Sequence, residues 1–135
     1  MKKIYWIMLA MFIVAACGST NSASITGNWE LLSYGSPSSQ TTAVPDVATS
    51  IEFSSDGKLT GNVGCNGFGG DYKMDGDTIT FGPIVSTMMA CENPIAEQEF
   101  AVLKTFTETA SYTLNADTLT VTSADGTSSV VLVRK

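Results

Sequence analysis

From residue 25 onward the chain alternates apolar and polar positions in short runs separated by turn-forming residues, the signature of half-buried strands. "ITGNWELLSY" opens the series. "SIEFSSDGKLTGNV" reads as a hairpin, with Ile51 and Phe53 alternating before a Ser-Asp-Gly turn and Leu59 after it. A repeat follows: "YKMDGDTITF" (72–81) and "YTLNADTLTV" (112–121) share Tyr-x-Met/Leu-x-x-Asp-Thr-Ile/Leu-Thr-Phe/Val. Both predict hairpins with apolar residues on one face and threonines on the other. Two copies are too few for a propeller, so the same hairpin is expected twice within one sheet or barrel. "TSSVVLVRK" supplies a final strand in a central or barrel-closing position. The polar stretch "GSPSSQTTAVPD" is expected to be a loop between strands.

One segment breaks this pattern. In "NPIAEQEFAVLKTFTETA", Asn93 is placed to cap a helix, Pro94 to occupy its first position, and Glu97 and Glu99 to meet its dipole. Ile95, Ala96, Phe100, Leu103 and Phe106 recur at helical spacing, which predicts an amphipathic helix of about four turns. Its apolar stripe is expected to pack on the sheet or plug a barrel end, so that Phe100→Asp would loosen the domain.

The N-terminus belongs to a different regime. "MKK" and the apolar run Ile4–Val14 have the order of a secretory signal, and the following Val14-Ala15-Ala16-Cys17 is similar to the lipobox of bacterial lipoproteins. Residues 1–16 are thus expected to be a signal peptide, and 17–24 a lipidated Cys17 with a polar tether of roughly 15 Å reach. Residues 25–135 then form one domain. Lipidation implies a diacylglyceryl with two chains plus an N-acyl chain, a palmitate-type anchor that holds firmly to a membrane. Gly18 is not the aspartate that retains lipoproteins in an inner membrane, so in a host with two membranes the outer one, facing the periplasm, is expected.

Removal of Lys2 and Lys3 leaves five basic side chains against 13 acidic ones, a net charge of −8. Nucleic acid and anionic lipid surfaces are poor partners for such a chain. There is no histidine, which removes Ser-His-Asp triads, Cys-His pairs and imidazole-based zinc sites.

The densest candidate chemistry is "GNVGCNGFGGDY" (61–72). A strand-like "DYKM" follows it and no lysine lies in the loop, which argues against a phosphate cradle. With Cys17 consumed by lipid, Cys91 is the thiol left to partner Cys65, and an oxidising envelope favours a Cys65–Cys91 disulfide. Gly64, Asn66 and Gly67 are expected to form a turn with positive φ, the Asn66 amide bonding nearby backbone. Met88 and Met89 with the two cysteines compose a set that could hold Cu(I) if reduced; methionines filling a core gap beside a disulfide is the favoured reading. Asp71, Asp75 and Asp77 are close in sequence, but the "DGD" of residues 75–77 reads as ordinary hairpin turn chemistry and lacks the ligand count of a calcium loop. No metal, cofactor or catalytic residue is assigned.

"GCNGFGGDY", "GDTITFGPIVSTMMAC", the helix with "EQEF" and the terminal "DTLTV" together resemble the META domain family of HslJ-like bacterial lipoproteins, from about Thr26 to Arg134. The resemblance implies a small antiparallel β-barrel-like fold crossed by one helix. It also implies envelope association and a link to stress or drug tolerance, with no established reaction. The expected function is that of a non-catalytic, monomeric envelope lipoprotein that binds a protein or a small amphiphile. The alternative is an inhibitor of a secreted basic hydrolase such as lysozyme, steered by the acidic charge.

Overall fold

The computed structural model describes residues 24–135; the expected signal peptide, Cys17 and the tether up to residue 23 lie outside the described residues. The described residues form, in chain order, β1 (Gly27–Ser36), β2 (Ser39–Thr42), β3 (Ser50–Phe53), β4 (Lys58–Asn62), β5 (Gly67–Asp75), β6 (Thr78–Phe81) and β7 (Val85–Ser86). Helix α1 (Ile95–Thr105) comes next, followed by β8 (Thr109–Asn115), β9 (Thr118–Thr122) and β10 (Ser129–Arg134). Eight strands, in the order β1, β3, β4, β5, β6, β8, β9, β10, close into an antiparallel barrel through the β10–β1 pair. The terminal strand takes the barrel-closing place that its apolar run predicts.

The repeated hairpins are β5–β6 and β8–β9, and their registers correspond: Tyr72 faces Phe81 and Met74 faces Ile79, as Tyr112 faces Val121 and Leu114 faces Leu119. Each tyrosine hydroxyl donates to the backbone of an earlier turn, Tyr72 to Ser54 O and Tyr112 to Gly76 O. The "GSPSSQTTAVPD" stretch corrects the loop expectation. β1 continues to Ser36 and the chain folds back as β2, pairing Tyr34 with Thr41.

β1 also breaks its own alternation. Trp29 and Leu31 point inward, and the next inward side chain is Tyr34. Against β10, Leu31 faces Leu132 and Ser33 faces Val131, so Leu32 is the extra residue of a bulge. It is half exposed as a result. On the other edge of β1, β3 pairs before the bulge and β2 after it.

The core is the barrel interior, built from Trp29, Ile51, Phe53, Leu59, Ile79, Leu119, Val121 and Leu132, all fully buried. At one mouth the chain enters beside the hairpin turns. The Trp29 indole donates to Ile25 O, and the Arg134 guanidinium lies 4.3 Å from the Trp29 ring centroid while donating to Ser24 O and Thr26 O. α1 closes the opposite mouth, where the Thr105 and Ser128 hydroxyls meet at 2.6 Å. On the same side, Asp125 accepts from the Ser123 hydroxyl and from the Thr127 N–H and hydroxyl, which holds its carboxyl down at about 2.

Helix α1 departs from the expected one in length, cap and phase. It has 11 residues, and Pro94 occupies the cap position with no side-chain hydrogen bond, so Asn93 does not cap it. The Ala96 N–H instead reaches Glu92 O. Its buried positions are Gln98, Glu99, Val102 and Thr105, followed by Phe106 just past its end. Phe100 is 71% exposed, so the helix is turned by roughly a quarter turn from its apolar stripe. The expected loosening by Phe100→Asp loses its basis, because residue 100 faces solvent.

Candidate functional site

The glycine-rich corner connects β4 to β5 at the helix-capped mouth. The Asn62 Oδ1 accepts from the Gly64 N–H at 2.8 Å, and its Nδ2 donates to Cys65 O, which sets the turn. Gly64 adopts φ +130°, and a Cβ there would lie 2.9 Å from Ile95 Cγ2 and Val47 Cγ1. The start of α1 can therefore approach this close only over a glycine. Gly67 differs from expectation: it has no positive φ and opens β5 in extended conformation.

Asn66 does not bond its own turn. Its N–H donates to Glu99 Oε2 and its Nδ2 to Glu99 Oε1, both at 2.7 Å. Its Oδ1 accepts from the Thr87 hydroxyl and the Met89 N–H, both at 2.8 Å, and Nδ2 also faces Met89 O and the Cys91 sulfur. One buried amide thus joins the corner, the segment leading into α1 and the helix. Every group of the side chain is engaged, as burial demands.

Gln98 does the same work beside it. It is fully buried, accepts from the Val44 N–H at 2.8 Å and donates to Val63 O at 2.7 Å. Loop backbone at a barrel mouth lacks a ladder partner and must be satisfied by side chains. The "EQEF" residues Gln98 and Glu99 provide this, a role that sequence reasoning missed. A signal was present: Ile95, Val102 and Phe106 define a second helical stripe that passes over residues 98 and 99.

Cys65 and Cys91 form the expected disulfide, with Cα atoms 6.2 Å apart. Met88 and Met89 do not fill a core gap beside the disulfide. They are 93% and 59% exposed, because the segment is held through the Met89 backbone rather than its side chain. Asp71 lies within β5 and pairs with Lys58 of β4, while Asp75 ends β5 and Asp77 lies in the β5–β6 turn, where turn chemistry places the Asp-Gly-Asp run.

From Gly82 to Cys91 the chain straps the barrel wall. Val85 and Ser86 pair with Gly69 and Phe68, and the Thr87 N–H donates to Gly67 O. Gly70 permits this close passage, since a Cβ there would lie 2.8 Å from Ile84 Cδ1. Between the strap and the end of α1 lies a cleft of about 480 Å³ whose walls include Phe81, Pro83, Ile84, Leu103 and Phe106. Thr107 and Glu108 stand at its rim. The opposite flank of α1 carries a shallower depression with Tyr34, Glu97 and Phe100. Burial and, secondarily, Glu97 raise the Tyr34 hydroxyl above its ordinary pKa.

A closed eight-stranded antiparallel barrel plugged by one helix, with a disulfide-tied glycine corner, defines a small β-barrel domain. The META domain model matches residues 23–135, and the chain belongs to the META domain family. It is similar in fold to a protein from Burkholderia xenovorans solved by NMR, with a TM-score of 0.65 and 21% identity over 81% of each chain. A second NMR structure gives a TM-score of 0.62 and 22% identity over 79% of this chain and 87% of that one. The crystal structure of a DUF4847 family protein from Bacteroides vulgatus gives 0.58 and 13%, over 82% and 93%. Among curated proteins no sequence match is found.

Proposed function

We propose that the protein is a non-catalytic, lipid-anchored envelope module that supports stress or drug tolerance by taking the apolar part of a small amphiphile into the cleft between the strap and α1. The observation that carries this reading is the cleft itself. Its volume of about 480 Å³ falls in the range of small-ligand sites, and its walls are aromatic and aliphatic while Thr107 and Glu108 offer polar contacts at one edge. Glu108 favours a neutral or cationic head group over an anionic one.

The test uses the unlipidated chain from Gly18 onward and a single-chain, neutral-headed detergent below its micelle concentration. Saturable amide-shift changes around Ile84, Leu103 and Phe106 are expected, and Ile84→Glu should weaken them by about tenfold, since a charge would enter an apolar wall. Shifts scattered over the surface, or a variant that binds equally well, would remove the cleft from consideration.

The anchor rests on "VAAC". Cys17→Ser is expected to leave an unlipidated precursor that takes up no labelled palmitate and loses most membrane attachment, assayed by fractionation. Equal labelling of the variant would refute it.

A further inference from the structure

We propose that reduction of the Cys65–Cys91 disulfide converts the corner into a binding site for a zinc-class divalent cation, with both thiolates and the Glu99 carboxylate as ligands. One ligand atom from each of the three residues lies within 4.8 Å of the other two. Two of them sit on separate, half-exposed segments and the third on α1. The set is therefore both reachable from solvent and fixed by three different parts of the fold.

Glu99 is a buried carboxylate at the centre of the site. It is 92% buried, being only 8% exposed, and among the described residues it forms no ion pair with a lysine or arginine. Buried carboxylates are ordinarily paired with a cation or coordinate a metal. This one has neutral amide donors from Asn66 and a sulfur of each cysteine within 4.8 Å of one of its oxygens. Each carboxylate oxygen retains a lone pair after accepting from Asn66, so the Asn66 bonds can persist and orient the ligand, as outer-shell partners do.

A dithiol reductant transfers two electrons and two protons to the Cys65–Cys91 bond, yielding two thiols and its own disulfide. A divalent cation then displaces both thiol protons and forms two metal–thiolate bonds, with a Glu99 oxygen as third ligand and a water as fourth. Tetrahedral zinc would hold the sulfurs roughly 3.8 Å apart, which requires each thiol to swing modestly outward from its bonded position. Two thiolates with one carboxylate suit zinc better than calcium or magnesium, which take all-oxygen sets. The metal would then tie the corner to the segment before α1 when the covalent tie is open.

Cobalt(II) tests this as a spectroscopic stand-in, using the full chain in detergent with Cys17→Ser so that Cys65 and Cys91 are its thiols. After reduction with a phosphine and its removal under anaerobic conditions, one equivalent of cobalt is expected to give thiolate-to-cobalt charge-transfer and tetrahedral d–d bands. Zinc should bleach both, and the oxidised protein should show neither. X-ray absorption at the bound metal should count two sulfurs plus light-atom ligands, and zinc should raise the melting temperature of the reduced protein alone. Glu99→Gln is expected to weaken cobalt binding by about tenfold or more, the loss that even outer-shell changes produce. If that variant fails to fold, the wild-type spectrum and sulfur count still decide. A reduced protein without charge transfer, a sulfur count other than two, or a folded Glu99→Gln variant of unchanged affinity would overturn the proposal.

Discussion

Asn66→Ala is expected to lower the unfolding free energy by about 3 kcal/mol, measured by urea denaturation with the disulfide intact. The change withdraws one of the two donors on the buried Glu99 carboxylate and leaves the Thr87 hydroxyl and Met89 N–H without their acceptor. Stripping a partner from a buried charge is among the costliest single changes in a protein. Asn66→Asp should be worse near neutral pH despite its matching shape, because it sets a second carboxylate against Glu99. Two carboxylates at that distance repel each other once both are ionised. The penalty is therefore absent in acid, where carboxylates are ordinarily protonated, and present above about pH 4. Denaturation at both ends of that range checks the sign. Equal losses at acidic and neutral pH would show that charge is not the cause.

Phe106→Ala is expected to cost about 3–5 kcal/mol, the range for emptying a large aromatic site in a core. Its ring is fully buried, with centroids 5.2 Å from Phe81 and 6.3 Å from both Phe53 and Phe68. It therefore joins the helix end to three strands. Phe100→Ala, six residues earlier, should change stability by less than about 0.5 kcal/mol because that side chain is largely solvated. Thermal melts of the two variants make a paired comparison. A reversed order would mean that α1 sits in the barrel mouth with its other face inward.

This pair also marks where the sequence was legible. Strands of a half-buried sheet announce themselves by alternation, and the hairpins of residues 72–81 and 112–121 fall where their pattern places them. The disulfide could be read from the thiol count, since setting Cys17 aside as the expected lipid site leaves two cysteines. For α1 two apolar stripes compete, one through Phe100 and Leu103 and one through Ile95, Val102 and Phe106, and hydrophobicity alone does not choose between them. A helix that plugs a barrel mouth meets unpaired loop backbone as well as apolar side chains, so Gln98 and Glu99 are drawn inward and Phe100 is left outside. The bulge at Leu32 was hidden for a related reason: one extra residue shifts the inward set from Trp29 and Leu31 to Tyr34. β7, two residues long, is too short to carry a period. At the corner, cysteines and glycines were visible in sequence, whereas the Asn66–Glu99 contact spans 33 positions and has no local signature.

Closure of the sheet has a consequence for how copies of the domain can meet. An open sheet offers rows of unpaired N–H and C=O groups on which a neighbouring molecule can add its own strand, the first step toward edge-to-edge aggregation. Among the described residues the eight-stranded circuit leaves no such rows, and the strands outside it are poor templates. β2 is four residues of serine, glutamine and threonine, all exposed, and β7 has two residues. Copies of this domain crowded together in one plane would have little backbone through which to recruit one another, so their contacts must run through side chains.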